Sequence, residues 1–239
     1  MSNTHKTRVD SATAHARQPV AKSGSIPAST LHFWFGESAD AIGLVETFHY
    51  SRRWPSNVQM VATAHRDGGL FGNKGPCVAA CVFTIPGTRW SEPVLELSRL
   101  VRDDSTHTQL TALIAASVRK LRREREWDLI VSFADAQRHH GGIYQAAGWH
   151  YHGLRAPAME GVEVAGEFIP GRSANSRYGT RSPERLKAMG IIALPVWDEG
   201  KHLFWKPLEP KGRDKAARLG LLLTPYFKPT AAGRAEMGA

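Results

Sequence analysis

Leu110, Leu113, Ile114, Ser117, Val118 and Leu121 recur at i, i+3, i+4, i+7, i+8 and i+11, which gathers them on one stripe of a single helix. Two runs of strand character flank that helix, Val94 to Val101 before it and Asp128 to Phe133 after it. A helix with one apolar stripe needs a second layer to bury it, and the neighbouring strands supply one. Other segments extend the pattern. Leu31 to Phe35 reads as a short strand, and Ala39 to Phe48 as a helix with Ile42, Val45 and Phe48 on one side. Val58 to Ala64 and Cys77 to Ile85 read as strands of a hairpin, joined by the glycine-rich turn Asp67 to Gly75. A short helix from Ile143 to Ala147 ends at Gly148. Strands follow at Trp149 to Leu154, Val162 to Ile169 and His202 to Leu208, with a short helix at Glu184 to Met189. The order implies an α/β or α+β fold built on a mixed sheet.

Charge divides the chain more sharply than composition does. The 239 residues carry a net +9, which points to a polyanionic partner. Residues 29–170 hold 14 basic and 15 acidic side chains, whereas residues 171–239 hold 13 and 6. Residues 1–28 hold 4 basic side chains and 1 acidic, and no Leu, Phe, Trp or Tyr, so they read as a disordered basic arm. The expected organisation is that arm, a domain over 29–229 with a basic region at 171–229, and a flexible tail at 230–239. No apolar run approaches the roughly 20 residues of a membrane helix, and Met1 to Lys22 lacks the apolar core of a secretory signal. The only cysteines, Cys77 and Cys81, share one face of a strand and read as core residues. A reducing, cytoplasmic location follows.

Several strings occur in one order from about Leu31 to Lys228. They are Phe48-His-Tyr-Ser51, Glu96-Leu-Ser-Arg-Leu100, Ser132-Phe-Ala-Asp135, His140-Gly-Gly-Ile-Tyr-Gln-Ala-Ala-Gly-Trp149, Gly171-Arg-Ser173, Tyr178-Gly-Thr-Arg-Ser182 and Pro225-Tyr-Phe-Lys228. Together they resemble the bacteriophage Mom family of DNA-modification proteins, and the element order is similar to that of GNAT-type acyltransferases. The resemblance implies a GNAT-like fold with a basic C-terminal extension. It also implies conversion of adenine in DNA to the N6-methylcarbamoyl form, which shields phage DNA from host restriction. Acetyl-CoA as acyl source, and iron, are implied as cofactors. A GNAT-type N-acyltransferase acting on a protein or small amine is the alternative.

The resemblance assigns His49 and Tyr50 to the catalytic group and Tyr144 as the acid facing a thioester sulfur. Asp135 joins them because it stands just past a buried strand, where such sheets place functional groups, or it caps the following turn. His49 and Asp135 are the candidate metal ligands. For the cofactor, Arg99, Arg102, Ser105, Thr106 and Thr108 surround the entry to the long helix, where N–H groups attract phosphate. The glycine-bearing pyrophosphate signature of GNAT-type enzymes is absent, and these hydroxyls stand in its place. Ser105 or Thr106 is also the expected N-cap. The partner is double-stranded DNA with its target adenine flipped out of the stack. Arg52, Arg53 and Trp54 form one cation–aromatic cluster for it. Arg172, Arg177, Tyr178 and Arg181, continued by Arg185 and Lys187, form a second. Lys211, Arg213, Lys215 and Arg218 form a third basic run. Any one of the three reads equally as solvated charge, and their concentration after residue 170 favours phosphate contact.

Overall fold

A computed structural model describes residues 31–67, 74–87, 90–106 and 108–226. The arm 1–28, the tail 230–239 and most of the Asp67 to Gly75 turn lie outside the described residues. The elements run β1 (Leu31–Phe35), α1 (Ala39–Phe48), β2 (Val58–Asp67), β3 (Lys74–Thr84), β4 (Leu95–Arg102), α2 (Leu110–Glu124), β5 (Leu129–Asp135), α3 (Gly142–Ala146) and β6 (His150–Arg155). They continue with β7 (Met159–Val164), β8 (Glu167–Pro170), α4 (Gly171–Tyr178), α5 (Pro183–Ala188), β9 (Ala193–Trp197), β10 (Lys201–Pro207) and α6 (Pro210–Arg218).

Seven strands form one mixed sheet in the order β1-β2-β3-β4-β5-β10-β6. The mixed α/β architecture is therefore the one the element order implies. Helix α2 lays Leu113, Ile114, Val118 and Leu121 on one face, where they join Phe83, Leu95, Leu97, Ile130 and Phe204. Each fully buried side chain of this kind stabilises by about 1.5–3 kcal/mol. Helix α1 packs Ala41, Leu44 and Val45 on the opposite face, over Val61, Ala80, Val82 and Val101. Helix α6 packs on that same face farther along, its Ala216 against Leu129, Val131, Leu203 and Trp205.

Strands β4 and β5 are parallel but pair only at Leu95↔Ile130 and Glu96↔Val131. Beyond that point the Ser132 hydroxyl donates to the Leu97 carbonyl at 2.7 Å, bridging the two strands with a side chain. A bulge leaves Ser98 without a partner between the pairs Leu97↔Phe83 and Arg99↔Val82. Strand side chains alternate faces, so positions 96 and 99 ordinarily point to opposite sides. The bulge resets the alternation and turns Glu96 and Arg99 to the same side.

The stretch from Met159 to Trp197 leaves the main sheet. Val162 to Ile169 is two strands rather than one, because Ala165 (φ +51°) and Gly166 (φ +81°) form a tight turn between β7 and β8. With β9 they make a second sheet in the order β8-β7-β9. Val162 and Ile169 pack there on Ala174 of α4 and Leu186 of α5. The excursion starts and ends at one place, since Arg155 of β6 and Lys201 of β10 are register partners.

Candidate functional site

On the face shared by α1 and α6, neither helix covers the centre of the sheet. Glu96 and Arg99 reach it from β4, Asp135 from the end of β5, and Lys201 from β10 directly opposite Asp135. The loop after α1 closes the groove. His49 caps that helix, its N–H donating to Val45 O at 3.2 Å. The Ser51 N–H donates to His49 Nδ1 at 3.2 Å, which leaves Nε2 as the protonated nitrogen of a neutral ring. Burial, reinforced by the charges of Arg99, His139 and Arg138, lowers the His49 pKa to about 4, so the ring is neutral at physiological pH.

Four groups then stack in sequence. The His49 and Tyr50 rings lie 4.4 Å apart between centroids. The Arg138 guanidinium sits 4.7 Å from the Tyr50 ring centre. Arg138 Nε reaches Asp135 Oδ2 at 3.2 Å. Asp135 also accepts the Gln137 N–H at 3.1 Å and is 4 % exposed. It therefore ties the turn after β5 while holding the arginine over the tyrosine. Nearly half of Tyr50 is open to solvent, yet its phenol is desolvated, which raises its pKa against the opposing Lys201 cation. Burial raises the Glu96 pKa too, with Arg99, Arg172 and Lys201 opposing. Lys201 would be lowered by burial, but Asp198 at 3.3 Å holds it above its usual value. The groove thus juxtaposes one carboxylate held above its usual pKa, one ion-paired carboxylate, fixed cations and a phenol.

Three of the four expected catalytic residues, His49, Tyr50 and Asp135, come together here. Tyr144 does not share their face. It is packed among Phe204, at 5.1 Å between ring centres, and Trp149, at 5.4 Å. Burial pushes its phenol pKa up, with Ser132 opposing, so the hydroxyl stays protonated. Glu96, Arg138 and Lys201 were not singled out from sequence as catalytic. Glu96 lies in the string Glu96 to Leu100 and Arg138 stands three residues after Asp135, whereas Lys201 carried no local signal.

The entry to α2 differs from expectation. Its N-cap is Gln109, without a side-chain cap, rather than Ser105 or Thr106. The hydroxyls meant for phosphate are engaged within the turn. Ser105 donates to Asp103 Oδ1, Thr106 bonds the Asp103 carbonyl, and Thr106 and Thr108 pair at 2.8 Å. They do not fit as pyrophosphate ligands. The uncapped first turn of α2, which carries no acidic side chain, does fit a phosphate. Alternation along β4 places Arg102 on that same side. Arg99 faces the groove instead, donating to the carbonyls of Arg53 at 3.2 Å and Ser98 at 2.7 Å.

Iron has no site of the expected kind. Among the described residues no group of three or more His, Cys, Asp and Glu can hold a metal. His49 Nδ1 is taken by Ser51, and the Asp135 carboxylate by Arg138 and Gln137.

The cation clusters separate by role. Arg53 Nη1 donates to Ser173 Oγ at 3.2 Å, tying the loop after α1 to α4. Trp54 packs half-buried against the α1 core, while Arg52 is exposed. Arg172, Arg177 and Arg181 are exposed on or just after α4, and Arg177 lies 5.2 Å from the Tyr178 ring centre. The third run forms α6 and is held largely by ion pairs: Lys211 and Lys215 bind Asp128 at 2.8 and 2.9 Å, and Arg218 binds Glu92. No described helix is long and apolar enough to cross a membrane.

Comparison with known proteins places these observations. No curated protein matches the chain. Among solved structures it is similar to a protein assigned to the GNAT acetyltransferases from Desulfovibrio desulfuricans, with 11% identity, 75% of this chain and 99% of that chain covered, and a TM-score of 0.39. It is similar to a chain of the NatC complex bound to Gag peptide and CoA, with 11% identity, 75% and 99% coverage, and a TM-score of 0.38. It is also similar to AtaTR bound with AcCoA, with 14% identity, 63% and 99% coverage, and a TM-score of 0.36. The model of the Mom protein family matches residues 32–215, which span β1 to α6 and every groove residue named above, so the chain belongs to the Mom protein family.

Proposed function

We propose that the chain modifies adenine in DNA at N6 by a reaction that includes an acyl-transfer type of step and, with a nitrogen donor, ends in the N6-methylcarbamoyl base that protects DNA from restriction. The observation that carries this reading is the stack of His49, Tyr50, Arg138 and Asp135 beside Glu96, Arg99 and Lys201, in a chain of the Mom family. An adenine inside a duplex cannot reach such a groove, so the base must be extruded, at a cost of a few kcal/mol. The exposed rim of Tyr50, its ring held between His49 and Arg138, is the aromatic contact that meets it. The N6 lone pair is delocalised into the ring, so attack requires removal of an N6 proton. Glu96, with its raised pKa, is the acceptor placed for that proton. Arg99 and Lys201 are the fixed cations for the oxyanion that develops. Neutral His49 Nε2–H adds a donor.

Acetyl-CoA would supply the carbons as an activated acyl thioester, its phosphates held by the first-turn amides of α2 and by Arg102. The nitrogen of the methylcarbamoyl group is absent from that thioester and requires a separate nitrogen donor. Tyr144, kept protonated, is the reserve acid on that side of the sheet. Transfer to a protein or small amine is the second reading, because Glu96, Asp135 and Glu160 surround the groove and would attract an ammonium group.

Nucleoside mass spectrometry of DNA co-expressed with the protein tests the proposal. Methylcarbamoyl-deoxyadenosine is expected, and acetyl-deoxyadenosine would be distinguished by mass. Soluble protein with only unmodified deoxyadenosine overturns it. Asp135→Ala is expected to abolish the modified nucleoside while the protein remains folded.

A further inference from the structure

A cleft of about 350 Å³ lies where the loop after α1 meets the second sheet and α4. Arg53, Glu167, Phe168, Ser173, Ser176 and Arg177 line it. Two guanidinium groups and two hydroxyls against one carboxylate make it a net cationic, donor-rich concavity. Phe168 is 45 % exposed, which leaves an aromatic surface open to solvent at the cleft. Its ring rests against Gly161, where a Cβ would come within 2.6 Å of it. The glycine is required first by the Ile169 carbonyl of the paired strand, which a Cβ would meet at 2.3 Å, and the ring lies over the same position.

The cleft is joined to the groove by a single residue. The Arg53 side chain lines the cleft and donates to Ser173, while the Arg53 carbonyl accepts from Arg99 in the groove. A chain of ligand that occupies both must pass over Arg53.

We propose that this cleft binds the nucleotide adjacent to the target adenine, with a backbone phosphate between Arg53 and Arg177 and the base stacked on Phe168. The chemistry is that of a single-stranded nucleic-acid platform, cations tracking the backbone and an aromatic face receiving a base. The inference rests on the adenine-modification reading and deepens it, since a neighbour held in the cleft would set sequence context at the modified base.

Binding of short DNA oligonucleotides, measured by fluorescence anisotropy, tests it separately from the chemistry. Each oligonucleotide carries one adenine and either an intact base or an abasic site at each neighbouring position. Loss of one stacked base is expected to weaken wild-type binding about 5- to 150-fold, at one neighbour only. Phe168→Ala is expected to bind intact and abasic oligonucleotides equally. Phe168→Leu keeps the apolar bulk, so its loss of discrimination would confirm stacking in a protein whose fold is undisturbed. Arg177→Gln is expected to reduce the slope of log K against log salt by about 1. Equal binding of intact and abasic oligonucleotides by the wild type, or full discrimination in Phe168→Ala, overturns the proposal. Discrimination in a protein that leaves co-expressed DNA unmodified would sink the adenine-modification reading instead and leave the cleft as a nucleic-acid site.

Discussion

Burial keeps His49 neutral, and that has a cost at low pH. The unfolded ring takes its proton near pH 6.5, whereas the folded one resists until about pH 4. Between those values the unfolded state binds more protons, so stability falls as the pH drops through that window. From pH 7 to pH 5 the loss through His49 alone is about 2 kcal/mol. His139, His150, His152 and His202 are also lowered by burial and act in the same sense. Chemical denaturation at pH 7 and pH 5 should show this fall, and His49→Gln should make it shallower. Arg138 tests the stack. Arg138→Met removes the cation between Tyr50 and Asp135 and leaves a nearly buried carboxylate without its ion partner. Modification of DNA should drop by at least about 10-fold, the scale of one charged hydrogen bond. Unchanged nucleoside yield with Arg138→Met would remove this arginine from the site. The thiols are the opposite case: burial pushes Cys77 up to about 11 and Cys81 up to about 12, so neither should react with alkylating agents in the folded protein.

Elements with a strong apolar period were readable directly. The ranges read for β1 and α1 agree with the observed ones, although α1 buries Ala41, Leu44 and Val45 and leaves Phe48 exposed, and α2 runs only three residues past its last stripe position. Leu113→Ala in that helix should cost about 2–5 kcal/mol, seen as a lower denaturation midpoint. Helices α4 and α6 were missed because neither has an apolar stripe. Helix α6 buries only Gly212 and Ala216, and a Cβ on Gly212 would come within 2.1 Å of the Asp128 carbonyl. Its stability comes from close backbone approach and from carboxylates on distant segments, neither of which leaves a local pattern. The same difference separates the basic runs. Lys211→Ala should leave the salt dependence of DNA binding unchanged, whereas Arg172→Gln should reduce its slope by about 1. The site was legible where the strings of the family are local, at His49, Tyr50 and Asp135. Lys201 was not, because it enters through strand pairing with a segment remote in sequence. Glu96 and Arg99 fall on one side only through the bulge at Ser98, which alternation alone does not foresee.

At the scale of the molecule, the net +9 resolves into a nearly neutral core and two basic ends. Deleting residues 1–28 should weaken DNA affinity, measured by anisotropy at fixed salt, without abolishing the modified nucleoside. Loss of soluble protein on that deletion would show that the arm belongs to the fold. The second sheet with α4 and α5 carries the exposed arginines and the Phe168 cleft, while the groove residues Glu96, Arg99, Asp135 and Lys201 stand on the main sheet. Because Arg155 and Lys201 are neighbours in one ladder, everything between them leaves and rejoins the main sheet at one place, with the Arg53–Ser173 contact as a further tie to the loop after α1. Long excursions from such a point add little closure entropy. A short turn could therefore replace the whole excursion and leave a plain β6–β10 hairpin. The part of the chain that carries the Phe168 cleft is in this sense a cassette, separable in the fold from the strands that carry Glu96, Arg99, Asp135 and Lys201.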